Sequence, residues 1–129
     1  MPSKLPVLGG PRAGEESDVE SWKGSSGTLY PYTIFELDQK PNVAYGNYIF
    51  AKRNERGGWD AVFIGHGDLS LRTDLERHEL REFLRRLGVT HVHIHENPWL
   101  PDRMIEKSDL LEVHPEAFYA SRFWTPISA

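Results

Sequence analysis

The chain has 129 residues, with 19 Asp or Glu against 15 Lys or Arg, a formal charge of −4, and no cysteine. That length suits one domain, and the missing thiols exclude disulfide scaffolds, thiolate metal sites and cysteine nucleophiles while fitting a reducing, cytoplasmic setting. No stretch approaches the roughly 18 apolar residues of a membrane span, so no membrane partner is expected. The acidic balance excludes a generally polyanion-binding surface, leaving any nucleic-acid contact to a local patch.

Residues 1–27 are rich in Pro, Gly, Ser and Glu and follow no sustained period, so they read as an arm preceding a domain at 28–129. Trp22 is the arm residue expected to anchor on that domain. Residues 28–37 are aromatic and β-branched, a strand pattern in which Pro31 suggests an edge or a bulge. Residues 43–52 and 59–65 repeat the pattern around a polar, Gly-containing turn, which predicts a β-hairpin. Thr73 and Glu76 form a capping box before a helix whose Leu80, Phe83, Leu84 and Leu87 make one apolar stripe. Gly88 suits the left-handed cap that ends it. Residues 89–95 alternate as a strand. Asn97 and Pro98 predict the start of a second helix, with Met104, Ile105, Ser108 and Leu111 on its buried side. The order β-β-β-α-β-α defines an α+β class: a small mixed or antiparallel sheet with helices packed on it.

Gly46-Asn47-Tyr48 opens one hairpin strand and Phe63-Ile64-Gly65 closes the next. This pairing resembles the signature of the GIY-YIG nuclease superfamily. The likeness continues through a loop to Leu71-Arg72 at the start of a helix, His78 within it, a further strand, and Glu106 on a second helix before Leu110-Leu111. The stretches AVFIGHGDL, GVTHVHIH and EKSDLLEVHPEAF are similar to a branch of small stand-alone bacterial GIY-YIG-like proteins, and the resemblance spans 28–119.

The resemblance implies metal-dependent cleavage of a DNA phosphodiester. Tyr48 would help activate water, Arg72 would stabilise the charge of the transition state, His78 would assist from the helix, and Glu106 would hold Mg²⁺ or Mn²⁺. Such chemistry needs positive charge where negative charge develops, a Lewis acid, and a base within reach. The chain also departs from the pattern. Phe63 lacks the hydroxyl of the second motif, and Asn47 replaces an apolar residue in the first. The usual register of the metal-binding Glu lands on Lys107, which puts Glu106 about 100° away around the helix. No Asn follows the second helix. A degenerate site with weak or absent cleavage is the expectation, and a binding module without catalysis, for nucleic acid or protein, is the alternative.

Other features allow other readings. Tyr48, in an apolar strand, also suits a core. Glu106, flanked by Arg103 and Lys107, also suits a solvated helix face. His91, His93 and His95 alternate on one strand face beside Glu96, a pattern that suits either a transition metal or the sheet itself. Arg77, Arg81 and Arg85 recur every four residues, with Arg86 beside them, while Lys52, Arg53 and Arg56 cluster at the hairpin turn. If the two basic groups met in space they would follow a phosphate backbone.

Overall fold

Residues 46–51 are buried without a break, as only a strand covered on both faces can be. They belong to β3 (Gly46–Arg53), which pairs antiparallel with β4 (Trp59–Gly67) on one side and with β5 (His91–Glu96) on the other. Beyond β5 lies β2 (Leu29–Glu36), and beyond that β1 (Val19–Lys23), completing a 5-stranded antiparallel sheet in the order β1-β2-β5-β3-β4. The helices α1 (His78–Arg86) and α2 (Leu100–Val113) accompany the sheet among the described residues, so the class is α+β. The computed structural model describes residues 18–39, 43, 45–67 and 78–117, with the backbone alone for 78–80. Among them no helix is long and apolar enough to cross a membrane.

Alternation along the strands assigns each side chain to a face. Tyr48, Phe50, Val92 and Ile94 point to one side, where they pack with Leu84 of α1 and with Leu37 and Val89. Ile49, Ala51 and Ile64 point to the other, with Leu110 of α2, Trp22, Tyr32 and Ala117. A bulge after Phe50 pairs Phe50 with Phe63 but Ala51 with Ala61, so Val62 is the extra residue of β4. The bulge lets consecutive residues, Val62 and Phe63, both enter the α1-side core. Gly65, opposite Tyr48, is needed for close approach: a Cβ there would lie 2.6 Å from the Tyr48 hydroxyl.

The predicted hairpin forms, and Asn54 organises its turn by accepting from the backbone N–H of Arg56 at 3.0 Å and of Gly58 at 2.9 Å. Gly88 ends α1 with φ of 91°, as its place in the sequence suggests. The capping box at Thr73 and Glu76 lies outside the described residues.

Three expectations need correction. The segment expected as an arm contains a strand, because Val19–Lys23 pairs with β2 and Trp22 is in the core. In consequence β2 is not an edge. Its Pro31 is tolerated because β2 pairs with β5 only from Thr33 onward, so no ladder bond is lost at Pro31. The second helix begins later than Asn97, whose side chain instead accepts from the Trp99 N–H at 2.9 Å, and it buries Arg103, Glu106 and Leu110. Met104 and Ile105, expected inside, are 53% and 66% exposed. The sheet face under α2 is partly polar, so it draws the polar side of the helix inward.

Truncation should expose this reversal. Leu110→Ala is expected to cost about 2–5 kcal/mol of stability, whereas Met104→Ala should stay within about 0.5 kcal/mol. Urea unfolding of both variants measures it.

Candidate functional site

Cross-strand pairing sets a polar row under the first half of α2. His95 on β5 lies directly opposite Asn47 on β3, and Asn47 lies opposite His66 on β4. The β2–β5 register places Tyr32 beside His95, their ring centroids 5.5 Å apart. Glu106 descends from α2 onto this row and is 3% exposed. Its carboxylate accepts the Tyr32 hydroxyl proton in a short hydrogen bond, and His95 Nδ1 sits 2.9 Å from both carboxylate oxygens. One turn earlier, Arg103 is equally buried. Its backbone carbonyl accepts from Asn47 Nδ2 at 2.9 Å, and its guanidinium Nη1 donates to the Asn97 carbonyl at 2.9 Å.

Electrostatics follow from these contacts. The hydrogen bond to Glu106 raises the His95 pKa above its ordinary value, against the opposing effect of burial. Burial, with the Glu106 charge beside it, holds the Tyr32 hydroxyl far above the usual phenol range, so it remains a donor. Burial also lowers the Lys107 ammonium.

The adjoining row is different. His93 is fully buried, and its Nδ1 accepts the Trp22 indole N–H at 3.0 Å. The Trp59 ring lies at 4.5 Å. Burial pulls the His93 pKa down to about 3, so the ring is neutral with its proton on Nε2. His91, at the strand's start, has Nδ1 at 2.7 Å from the Thr90 hydroxyl. The three histidines share one face, as their alternation predicts, and each Nδ1 is engaged with a different group.

Of the catalytic residues implied by the resemblance, Tyr48 and Glu106 lie on opposite faces of the sheet. Tyr48 is buried on the α1 face against Phe50 and Phe63, whereas Glu106 is buried on the α2 face. Glu106, not Lys107, makes the inward contact, so its reading as a solvated residue is replaced by a buried one. His78 opens α1, and Arg72 and Arg77 lie outside the described residues. Glu106 is the residue to which the resemblance assigns Mg²⁺ or Mn²⁺. Both Glu106 oxygens are already engaged, and among the described residues no group of three or more His, Asp or Glu is placed to hold a metal ion. Tyr32, Asn47 and Arg103 escaped the sequence reading as site residues. The signal available was a polar Asn inside an otherwise apolar strand.

Of the basic segments, one residue, Lys52, reaches the end of α1. Lys52 lies over Gly88, just past α1, with Cδ at 3.3 Å from the place of a Gly88 Cβ. Lys52, near the end of β3, lines one pocket with Arg53 and Arg56, while Gly88 follows the last turn of α1, which carries Arg85 and Arg86. Some of this charge is already used. Arg81 and Arg85 converge on Asp38 Oδ1 at 2.6 and 2.7 Å, and Arg53 stacks 4.0 Å over Trp59. Compared with protein-family models, curated proteins and solved structures, the chain finds no match.

The two histidine shifts give opposite pH limbs. For His95 the folded pKa is raised, so its contribution to stability is full below the unfolded value near 6.5 and is lost as pH rises through the folded value. For His93 the folded pKa is about 3, so from about 6.5 downward the unfolded chain takes a proton that the folded chain refuses, and stability falls by up to ~1.4 kcal/mol per pH unit. Melting temperatures between pH 4 and 9 should show His93→Gln flattening the acid limb and His95→Gln flattening the alkaline one.

Proposed function

We propose that this chain is a GIY-YIG-like domain that holds the phosphate backbone of DNA weakly and does not cut it. The observation that carries the reading is the contact of the Lys52 side chain, near the end of β3, with Gly88 just past α1. From that contact the proposed cationic ridge extends to Arg56 at the hairpin turn and to Arg86 in the last turn of α1. Phosphate contacts need no base-reading group, so such a ridge binds without sequence preference. Weakness follows from the acids nearby, Glu55, Asp60 and Asp38, and from the net charge of −4.

The family likeness is supported by element order. The GNY-bearing strand β3 pairs with the FIG-bearing strand β4, Tyr48 sits opposite Gly65, and the strand after α1 returns to pair with β3. The loss of cleavage is supported by the separation of Tyr48 and Glu106 on opposite sheet faces and by the missing hydroxyl at Phe63.

Fluorescence anisotropy with a labelled duplex tests the ridge. The logarithm of the binding constant should fall with the logarithm of salt at a slope of about −0.9 per phosphate contacted. Lys52→Glu with Arg56→Glu should abolish binding at low salt, and undiminished binding by that double variant overturns the ridge. Plasmid incubated with Mn²⁺ or Mg²⁺ should remain supercoiled. Nicking that disappears in Glu106→Gln would overturn the non-cleaving reading.

A further inference from the structure

β1 is an edge strand, and its hydrogen-bonding parity is fixed by two bonds. Ile34 N–H donates to the Asp18 carbonyl at 2.9 Å, and Gly24 N–H to the Thr28 carbonyl at 2.9 Å. Asp18, Glu20, Trp22 and Gly24 therefore turn their backbone groups toward β2. Val19, Ser21 and Lys23 turn theirs outward, away from the sheet, and all three residues are exposed. An exposed row of this kind is a template for another strand. Of the devices that blunt such edges, β1 is short and carries Lys23, but it has neither a Pro nor a bulge to interrupt its outward backbone groups.

A groove of about 590 Å³ runs along the same edge, lined by Glu20 through Ser25 and closed by Trp59, Val113 and His114. Trp22 and Trp59 belong to β1 and β4, opposite ends of the strand order, so the groove bridges the two margins of the sheet. We propose that β1 is a strand-addition site for an extended segment of a partner protein. This surface is separate from the cationic ridge and does not rest on the DNA-binding reading.

The register dictates the partner's chemistry. In an antiparallel added strand, the residues opposite Lys23, Ser21 and Val19 make the backbone bonds, and those opposite Trp22 and Glu20 face α2. Charge complementarity calls for an acid opposite Lys23 and a base opposite Glu20. An aromatic side chain opposite Trp22 enters the groove toward Trp59 and His114. A small β-branched residue suits Ser21, and an apolar one covers Val19, which is 62% exposed. The segment read in order is acidic, aromatic, β-branched, basic, apolar. Backbone bonds supply affinity and alternate side chains supply specificity, as in other strand additions.

The test titrates the full ¹⁵N-labelled chain with the capped peptide Glu-Phe-Thr-Lys-Val. Saturable shifts are expected at the amides of Val19, Ser21 and Lys23 and at the Trp22 indole. The charge-swapped peptide Lys-Phe-Thr-Glu-Val should bind about tenfold more weakly. N-methylation of the peptide's threonine removes a donor aimed at Ser21 and leaves the protein untouched; it should abolish the shifts. Ser21→Pro removes the matching outward donor on β1 and should do the same without altering the β1–β2 pairs. No shift at millimolar peptide overturns the proposal, as do shifts elsewhere or shifts that survive N-methylation. A dimer by light scattering that Ser21→Pro dissolves would assign the edge to a second copy and overturn it equally.

Discussion

The burial of β3 on both faces is the constraint from which the rest follows. A strand covered on both sides must satisfy two different environments at alternate residues, and this one does so with opposite chemistries. Tyr48 and Phe50 face an aromatic and aliphatic core beneath α1. Asn47, Ile49 and Ala51 face α2, where apolar contacts in the middle give way to a polar row at one end. The pairing of β3 with β4 and β5 carries this division across the sheet, so each side chain of the hairpin and of the histidine strand inherits its face from its register with β3.

That inheritance explains what was legible in the sequence. The hairpin, the turn at Asn54, the glycine ending α1 and the common face of His91, His93 and His95 all follow from local chemistry or strict alternation. So does the anchoring of Trp22. The strand around Trp22 was not legible, since Glu20, Ser21 and Lys23 break any apolar run and β1 is defined by its hydrogen bonds to β2 rather than by its own pattern. The buried side of α2 was misread for a related reason. Periodicity assumes that apolar residues face inward, and this holds only where the surface they meet is apolar. Here the receiving surface carries Tyr32, His95 and Asn47, so Arg103 and Glu106 go in and Met104 and Ile105 go out.

The basic groups show the converse limit. Their residue types and their spacing within each segment were legible, but their adjacency is a tertiary fact that no local pattern contains. Lys52 and Gly88 meet because β3 runs beneath the end of α1 on its way to the hairpin turn, and the backbone bond from Thr90 to Ala51 at 3.1 Å ties the exit of α1 to β3. The same tertiary placement spends part of this charge. Asp38, just past β2, arrives against Arg81 and Arg85 and neutralises part of the helix stripe.

Two departures from the GIY-YIG pattern become a single physical event on this reading. Asn47 stands where the motif has an apolar residue, and Glu106 stands one position from the expected metal ligand. In the fold both project into the same row: Asn47 binds the backbone of Arg103 one turn before Glu106, and pairs across the sheet with His95, which binds Glu106 itself. A buried carboxylate left alone is strongly destabilising. Tyr32 and His95 supply the donors that make its burial tolerable, and Asn47 fixes the helix turn that delivers it. Two donors, the Tyr32 hydroxyl and His95 Nδ1, thus hold both oxygens of this carboxylate from within the protein. The row that secures α2 to the sheet thus takes its anchor, Glu106, from the face opposite Tyr48, and it does so without disturbing the β3–β4 hairpin.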